Sequence, residues 1–201
     1  ATELSFFGAP IVHPHYFLPA ESKNLPVSLR YWGDIKEKGT LISSQVQAKK
    51  RGSVKAFSVV RNVALINVEG SGMSGVPGIS SRLFTALRNE GISVIFISQA
   101  SSEYSICFAV PQNQSTAVSR VLRHEFQREI ANRSISTIDT ESDLSILAAV
   151  GEAMPGRIGV AGKFFSSLAR AGVNIRAIAQ GSSERNISAV IASKDSTKAL
   201  R

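Results

Sequence analysis

The residues of this chain that could hold a ligand come in pairs 81 positions apart. Gln99 and Gln180 are one such pair, and each has an isoleucine, Ile97 or Ile178, two residues before it. Upstream of each stands a glycine-rich loop: Gly70-Ser71-Gly72-Met73-Ser74-Gly75-Val76-Pro77-Gly78 in the first case, Gly151 to Gly162 in the second. A glycine-rich loop that runs into a helix presents backbone N–H groups and the positive end of the helix dipole, which suits an anion. Such a loop also serves ordinary tight turns, and a glutamine at a strand end also satisfies backbone groups. Repetition of loop and glutamine together is what favours a ligand role. Other reactive side chains offer less. His13, His15 and His124 lack metal-ligand spacing. Cys107 lies in an apolar stretch with no histidine near it in sequence, which suits a buried structural thiol. No metal site and no catalytic residue are expected.

The elements around these pairs repeat as well. Leu83–Ile106 aligns with Phe164–Ile187 without a gap, with nine of 24 positions identical, among them Gly91/Gly172, Ser101/Ser182, Ser102/Ser183, Glu103/Glu184 and Ile106/Ile187. Val63–Val68 and Leu144–Val150 read as strands. After each loop, apolar residues recur at helical spacing, Ile79, Leu83 and Leu87 in one copy and Val160, Phe164 and Leu168 in the other. Gly91 and Gly172 then stop the helices. Two strand-like stretches follow in each copy, Ser93–Gln99 and Ser105–Val110, then Asn174–Gln180 and Asn186–Ala192, joined by polar turns at Ala100–Glu103 and Gly181–Glu184. Copy one adds a helix over about 115–131 and a short strand, Ser134–Asp139, completing βαββαβ. Copy two reaches Arg201 as its second helix begins, so it lacks a helix and a strand unless another segment supplies them, which reads as truncation or as strand exchange between copies.

Composition bounds the function classes. The 201 residues are 43% hydrophobic and 19% charged, a globular composition in one domain or two small ones. No apolar run reaches the ~18–20 residues that cross a bilayer, so no membrane partner is expected. The single cysteine excludes an intrachain disulfide framework and fits a reducing compartment. The first residue is Ala1, which reads as an excised piece. Net charge is +8, yet residues 1–57 hold eight Lys/Arg against four Asp/Glu and the remainder fifteen against eleven. Only Lys49-Lys50-Arg51 is a true basic cluster, and aromatics are 7%. A solvated linker explains that better than a nucleic-acid face. An RNA-binding sheet would need exposed aromatics, for which Phe96, Tyr104 and Phe108 are the candidates in copy one; copy two has Ala177, Arg185 and Ala189 there. A nucleotide-cradling enzyme lacks GxxxxGK[ST] and clustered acids or bases.

A tandem βαββαβ unit with a glycine-rich loop after its first strand resembles a pair of ACT regulatory domains. Ile97–Pro111 (ISQASSEYSICFAVP) and Ile175–Ser188 (IRAIAQGSSERNIS) are similar to the regulatory region of aspartokinase, best of all the bifunctional aspartokinase–homoserine dehydrogenases. Leu4–Ala9 with His13-Pro14, Leu25-Pro26-Val27 and Gly39–Ile42 is similar to the end of the aspartokinase catalytic domain and its exit linker. The resemblance implies an α+β fold of two ferredoxin-like ACT domains with antiparallel sheets, preceded by a short remnant of the α/β amino-acid kinase domain. It divides the chain into residues 1–57, 58–139 and 140–201. It implies an allosteric fragment with no cofactor and no activity of its own, whose parent uses ATP and Mg, and NAD(P) if a dehydrogenase is attached. Its setting would be the cytoplasm, or the plastid stroma in a plant. Partners would be an amino-acid effector and further copies joined through ACT sheets, with no nucleic acid.

The effector would be an end-product amino acid, and the residues suggest how each part is met. Its carboxylate suits the loop amides, where Gly75, Gly78, Gly156 and Gly159 permit close approach. Its ammonium suits strand carbonyls or the side chains of Gln99, Gln180 and Asn174. A neutral carboxamide can both donate to and accept from a hydroxyl, whereas a long-chain ammonium asks for a carboxylate, which favours threonine over lysine. The resemblance also implies Ile97/Gln99 and Ile178/Gln180 as effector contacts. Met73, Val76, Pro77 and Ile79 complete the first expected wall, and Val160 and Ile175 the second. Pro77 precedes Gly78 in one loop while Pro155 follows Met154 in the other, so the two sites need not bind equally.

Overall fold

The computed structural model describes residues 13–34, 36–43, 52–99 and 104–201. The expected kinase-like stretch Leu4–Ala9, the cluster Lys49–Arg51 and the turn Ala100–Glu103 lie outside the described residues. The elements are α1 (Leu18–Ser22), β1 (Val27–Leu29), β2 (Thr40–Ile42), β3 (Ala56–Glu69), α2 (Ile79–Asn89), β4 (Phe96–Gln99), β5 (Ser105–Pro111), α3 (Ser115–Glu125), α4 (Gln127–Ala131), β6 (Thr137–Val150), α5 (Val160–Arg170), β7 (Ile175–Ala179), β8 (Asn186–Ala192) and α6 (Ser196–Ala199). β1 and β2 form a separate antiparallel pair, and the other six strands make one antiparallel sheet in the order β4-β5-β3-β6-β8-β7.

β3 and β6 dominate this sheet, each 14 residues long and each 81 positions from the other. The expected strands Val63–Val68 and Leu144–Val150 are only their C-terminal halves. Residues 63–69 of β3 pair with β5 and with the start of β6, while Ala56–Val60 pair with Val150–Ile146. Copy two thus receives its closing strand from residues 56–60, and copy one from residues 137–141. Strand exchange supplies the missing strand. Each long strand kinks at a left-handed residue, Asn62 (φ 58°) and Asp143 (φ 58°), again 81 apart. The ladder between β3 and β6 shifts register there. Asn and Asp tolerate that conformation better than other side-chain-bearing residues. Their polarity makes the sequence look like a break where the strand in fact bends.

The kinks let one sheet serve two cores. On one side, Leu83 and Leu87 of α2 and Val118 and Leu122 of α3 cover Ile66, Val68, Ile106 and Phe108. On the other, Phe164 and Leu168 of α5 cover Leu147, Ala149, Ile187 and Ala189. Between the two halves a third cluster joins Val63, Phe96 and Ala109 to Ile146, Ala148 and Val190. The helices stop as expected: Gly91 (φ 67°) and Gly172 (φ 65°) are left-handed, and Ile92 and Val173 N–H reach back to the Leu87 and Leu168 carbonyls at 3.0 and 2.9 Å. The helix expected over 115–131 divides at Phe126, whose ring is fully buried while the Arg82 guanidinium lies 4.9 Å from its centroid. β4 begins at Phe96 rather than Ser93. Phe96 and Phe108 are buried, so the sheet does not present them to an RNA base.

Candidate functional site

The first loop leaves β3 with its backbone tied down. Gly70 N–H donates to the Tyr104 carbonyl at 3.0 Å, and Gly72 N–H to the Ser134 carbonyl at 3.0 Å. A β-carbon on Gly70 would collide with that same Ser134 oxygen. Copy two repeats the arrangement, with Gly151 N–H donating to the Arg185 carbonyl at 2.9 Å and Ser53 in the place of Ser134. Beyond the anchor, Met73 is buried beneath the loop, while Gly75 (φ 71°) and Gly78 (φ 92°) are left-handed, and a β-carbon on either would meet no described residue within 4 Å. The first α2 bond runs from Arg82 N–H to the Gly78 carbonyl at 2.9 Å. The amides of Ile79, Ser80 and Ser81 therefore have no carbonyl of their own helix to donate to.

A cavity of about 410 Å³ opens at this point, lined by Met73, Gly75, Val76, Pro77, Gly78, Ile79, Ser80, Ser81, Gln99 and Ile106. That volume lies in the ~300–1,000 Å³ range of small-molecule clefts. All six loop residues expected of the first site share one wall with Gln99. Ile97 lies on the same face of β4 as Gln99 by strand alternation but is about half exposed and not on that wall. The wall offers main-chain amides, two serine hydroxyls, one carboxamide and apolar sides. Among the described lining residues there is no carboxylate.

The second loop is built differently around its opening. Gly156 (φ 67°) and Gly159 (φ 86°) repeat the left-handed positions. Gly159 and Val160 line a cavity of about 540 Å³ that faces Val54, Phe57, Phe164 and Leu200. Gly156, Asn174, Ile175, Ile178 and Gln180 are not on its wall. Asn174, Ile178 and Gln180 are exposed along β7 and its two ends, and Ile175 is half-buried. Gly156 N–H donates instead to Glu184 Oε2 at 2.6 Å.

Sequence reasoning missed Ser80, Ser81 and Ile106 on the first wall and assigned Glu184 to turn chemistry. The identity of Ile106 with Ile187 and of Glu103 with Glu184 was the available signal. Gly70, Gly72 and Gly75 also have G-x-G-x-x-G spacing, a dinucleotide pattern by count alone. The sheet is antiparallel throughout its described pairings, so the parallel βαβ context that gives the pattern meaning is missing.

A third cavity, about 520 Å³, lies between the half-sheets and is lined by Asn67, Glu69, Ser98, Gln99, Cys107, Asp139, Glu141 and Arg176 among others. Arg176 Nε pairs with Glu141 at 3.0 Å. Burial, helped by the Glu141 and Glu69 charges, pushes the Cys107 thiol up to about 11. The positions 81 residues after Leu65, Asn67 and Glu69 are Ile146, Ala148 and Val150, which belong to the packed inter-sheet cluster. No group of His, Cys, Asp and Glu able to hold a metal ion occurs among the described residues. No described helix is long and apolar enough to cross a membrane.

Comparison with known proteins agrees with this architecture. A family model described as "ACT domain" matches residues 66–126 and 147–201. A bifunctional aspartokinase/homoserine dehydrogenase 1, chloroplastic, of Arabidopsis thaliana is 44% identical over the whole chain, which spans 22% of that relative's length. Clostridium acetobutylicum aspartate kinase superposes with a TM-score of 0.86 at 23% identity, over 98% of this chain and 45% of that one. E. coli aspartokinase III, solved with lysine and aspartate in a T-state, superposes at 0.75 with 25% identity, over 99% and 42%. A doubled βαββαβ unit with exchanged closing strands, matched over more than half its length by one family model, places this chain in the ACT-domain family, in the tandem form of aspartokinase regulatory regions.

Proposed function

We propose that this chain is an allosteric sensor that binds a free end-product amino acid, threonine ahead of lysine, and restrains an attached aspartate kinase. In this reading the parent is an aspartokinase–homoserine dehydrogenase under feedback control, in the plastid stroma or the cytoplasm. In chain order residues 1–57 carry the end of the kinase domain with its linker and residues 58–139 and 140–201 the two ACT repeats, with residues 56–60 paired into the second unit. The chain itself carries out no chemistry. Copies associate through their ACT sheets.

The single observation that carries the reading is the shared wall of the 410 Å³ cavity, which brings the loop, the start of α2 and Gln99 together. The amides and the dipole of α2 suit an α-carboxylate. A carboxamide matches a hydroxyl in both donor and acceptor roles. Lysine, with which E. coli aspartokinase III was solved, would need a partner for its terminal ammonium, and the described wall offers no carboxylate. Binding that favours one arrangement of the exchanged strands would reach residues 1–57 through β3, which begins at Ala56. Isothermal titration of the chain with threonine and with lysine tests this. Saturable threonine binding that is weakened at least tenfold by Q99A supports it; tight lysine binding without threonine binding refutes it.

A further inference from the structure

Resting on the amino-acid reading above, we propose that Arg82 is the positioning residue of the first site, clasping the start of α2 so that its amides are held in place for a ligand. Its side chain grips one short segment from several sides. Nε donates to Glu125 Oε1 at 2.8 Å, Nη2 to the Glu125 carbonyl at 3.0 Å and Nη1 to Glu129 Oε1, while the guanidinium lies 4.9 Å from the centroid of the buried Phe126 ring. Its backbone N–H closes the first turn of α2 onto Gly78. One residue thus joins the helix start, where Gly78, Ile79, Ser80 and Ser81 line the 410 Å³ cavity, to the junction of α3 and α4.

The same segment holds the other end of the loop. Gly72 N–H donates to the Ser134 carbonyl at 3.0 Å, and the next residue, Ile135, donates its N–H to the Glu129 carbonyl at 3.0 Å. The cavity-lining residues between Met73 and Ser81 are therefore suspended from two anchors, Gly72 and Arg82, that converge on Glu129. Glu129 Oε2 is buried without a hydrogen-bond partner among the described residues, so the bond from Arg82 to Oε1 is what engages that carboxylate. The grip needs arginine: a planar fork reaches a carboxylate, a carbonyl and a ring together, whereas an ammonium is a point charge on a flexible stem. Copy two has Lys163 at this position, which lines the 540 Å³ cavity and makes no ion pair among the described residues. Donors ordered in advance bind more tightly than donors the ligand must order. Arg82, which is not on the cavity wall, thus sets affinity at the first loop without touching the ligand.

The test uses the 201-residue chain with R82K, which keeps the charge without the fork, R82Q, E129Q and the pair R82Q/E129Q. Hydrogen exchange is followed at the Met73 and Val76 amides, with the amides of β3 and β5 as the internal control. Threonine is titrated by calorimetry in a Q180A background for the first site and a Q99A background for the second. R82K and R82Q should each speed loop exchange roughly fivefold and leave the control amides unchanged, the scale set by a partly exposed ion pair. First-site threonine affinity should fall by a similar factor, and second-site affinity by less than twofold. The paired variant should do no worse than R82Q, since both residues belong to one contact. Loop and control amides quickening together would make Arg82 a stability residue only. That result, unchanged loop exchange, additive losses in the pair, or full first-site affinity in R82Q each overturns the proposal. If loop exchange responds as expected but threonine binds none of the chains, the parent included, the clasp stands and the threonine reading is what fails.

Discussion

Ser98 Oγ donates a hydrogen bond to the Ile178 carbonyl at 2.8 Å, tying edge strand β4 of one unit to edge strand β7 of the other. Ser98 stands between Ile97 and Gln99, and Ile178 lies two residues before Gln180. The residue 81 positions after Ser98 is Ala179, which has no hydroxyl to return the bond. The two candidate sensing segments are therefore linked by a side-chain bond made from one side only.

Replacing Ser98 with alanine removes that link without altering either loop. The expected outcome is loss of cooperativity between two threonine-binding events, with single-site affinity in a Q180A background changed less than twofold. Calorimetric titration of S98A against the parent checks it; unchanged cooperativity would assign the bond to packing alone. A coupling of about 1–3 kcal/mol is typical between linked sites.

The loop anchors give a stability prediction. Gly70 and Gly151 each lie against a backbone carbonyl, of Ser134 and of Ser53, where an added methyl has no room. G70A and G151A should each cost about 1–3 kcal/mol, the usual penalty of overpacking. Urea unfolding of both variants measures this. Comparable losses would show that residues 52–60 close copy two as firmly as residues 133–141 close copy one. G75A is a useful contrast, since no described residue lies within 4 Å of its added β-carbon and the obstacle there is the positive φ of 71°.

Much of the fold is legible in the sequence. The 81-residue repeat displays the loops, the α2 and α5 stripes and the paired glutamines, because buried faces and tight turns constrain residue type at fixed spacing. The exchanged strand was not readable in that way. Arg61-Asn62 and Glu141-Ser142-Asp143 are polar, and polarity in mid-strand looks like a loop until Asn62 and Asp143 are seen to turn the chain while the ladder continues. The second site also escaped pattern reasoning. Nothing in residue spacing says that Glu184 reaches across to Gly156.

Acid stability should depend on Glu129. The Arg82 guanidinium, hydrogen-bonded to it, holds the Glu129 carboxyl below its ordinary value of 4.5. A carboxyl lowered on folding stabilises the native state above the unfolded-state value, and that contribution disappears as pH falls through the lower folded value. Thermal midpoints should thus drop from about pH 4.5 downward, and E129Q should flatten that part of the profile. Since Arg82 is 42% exposed at its side chain, the effect is expected to be modest and to shrink in salt. A profile unchanged by E129Q would count against it.

Cys107 should be slow to alkylate. With its thiol pushed up to about 11 by burial and by Glu141 and Glu69, little thiolate exists at pH 8. Iodoacetamide labelling of the folded chain should run at least tenfold slower than labelling in urea, and E141Q should speed it slightly. Equal rates in both states would show an open, unperturbed thiol.

Threonine binding at the first loop is tested most plainly by a crystal structure of the chain soaked in threonine. Density is expected in the 410 Å³ cavity, with the carboxylate on the Ile79 to Ser81 amides and the hydroxyl on the Gln99 carboxamide. An empty cavity at saturating threonine, with the Gln99 amide bonded to neighbouring peptide groups, would contradict it.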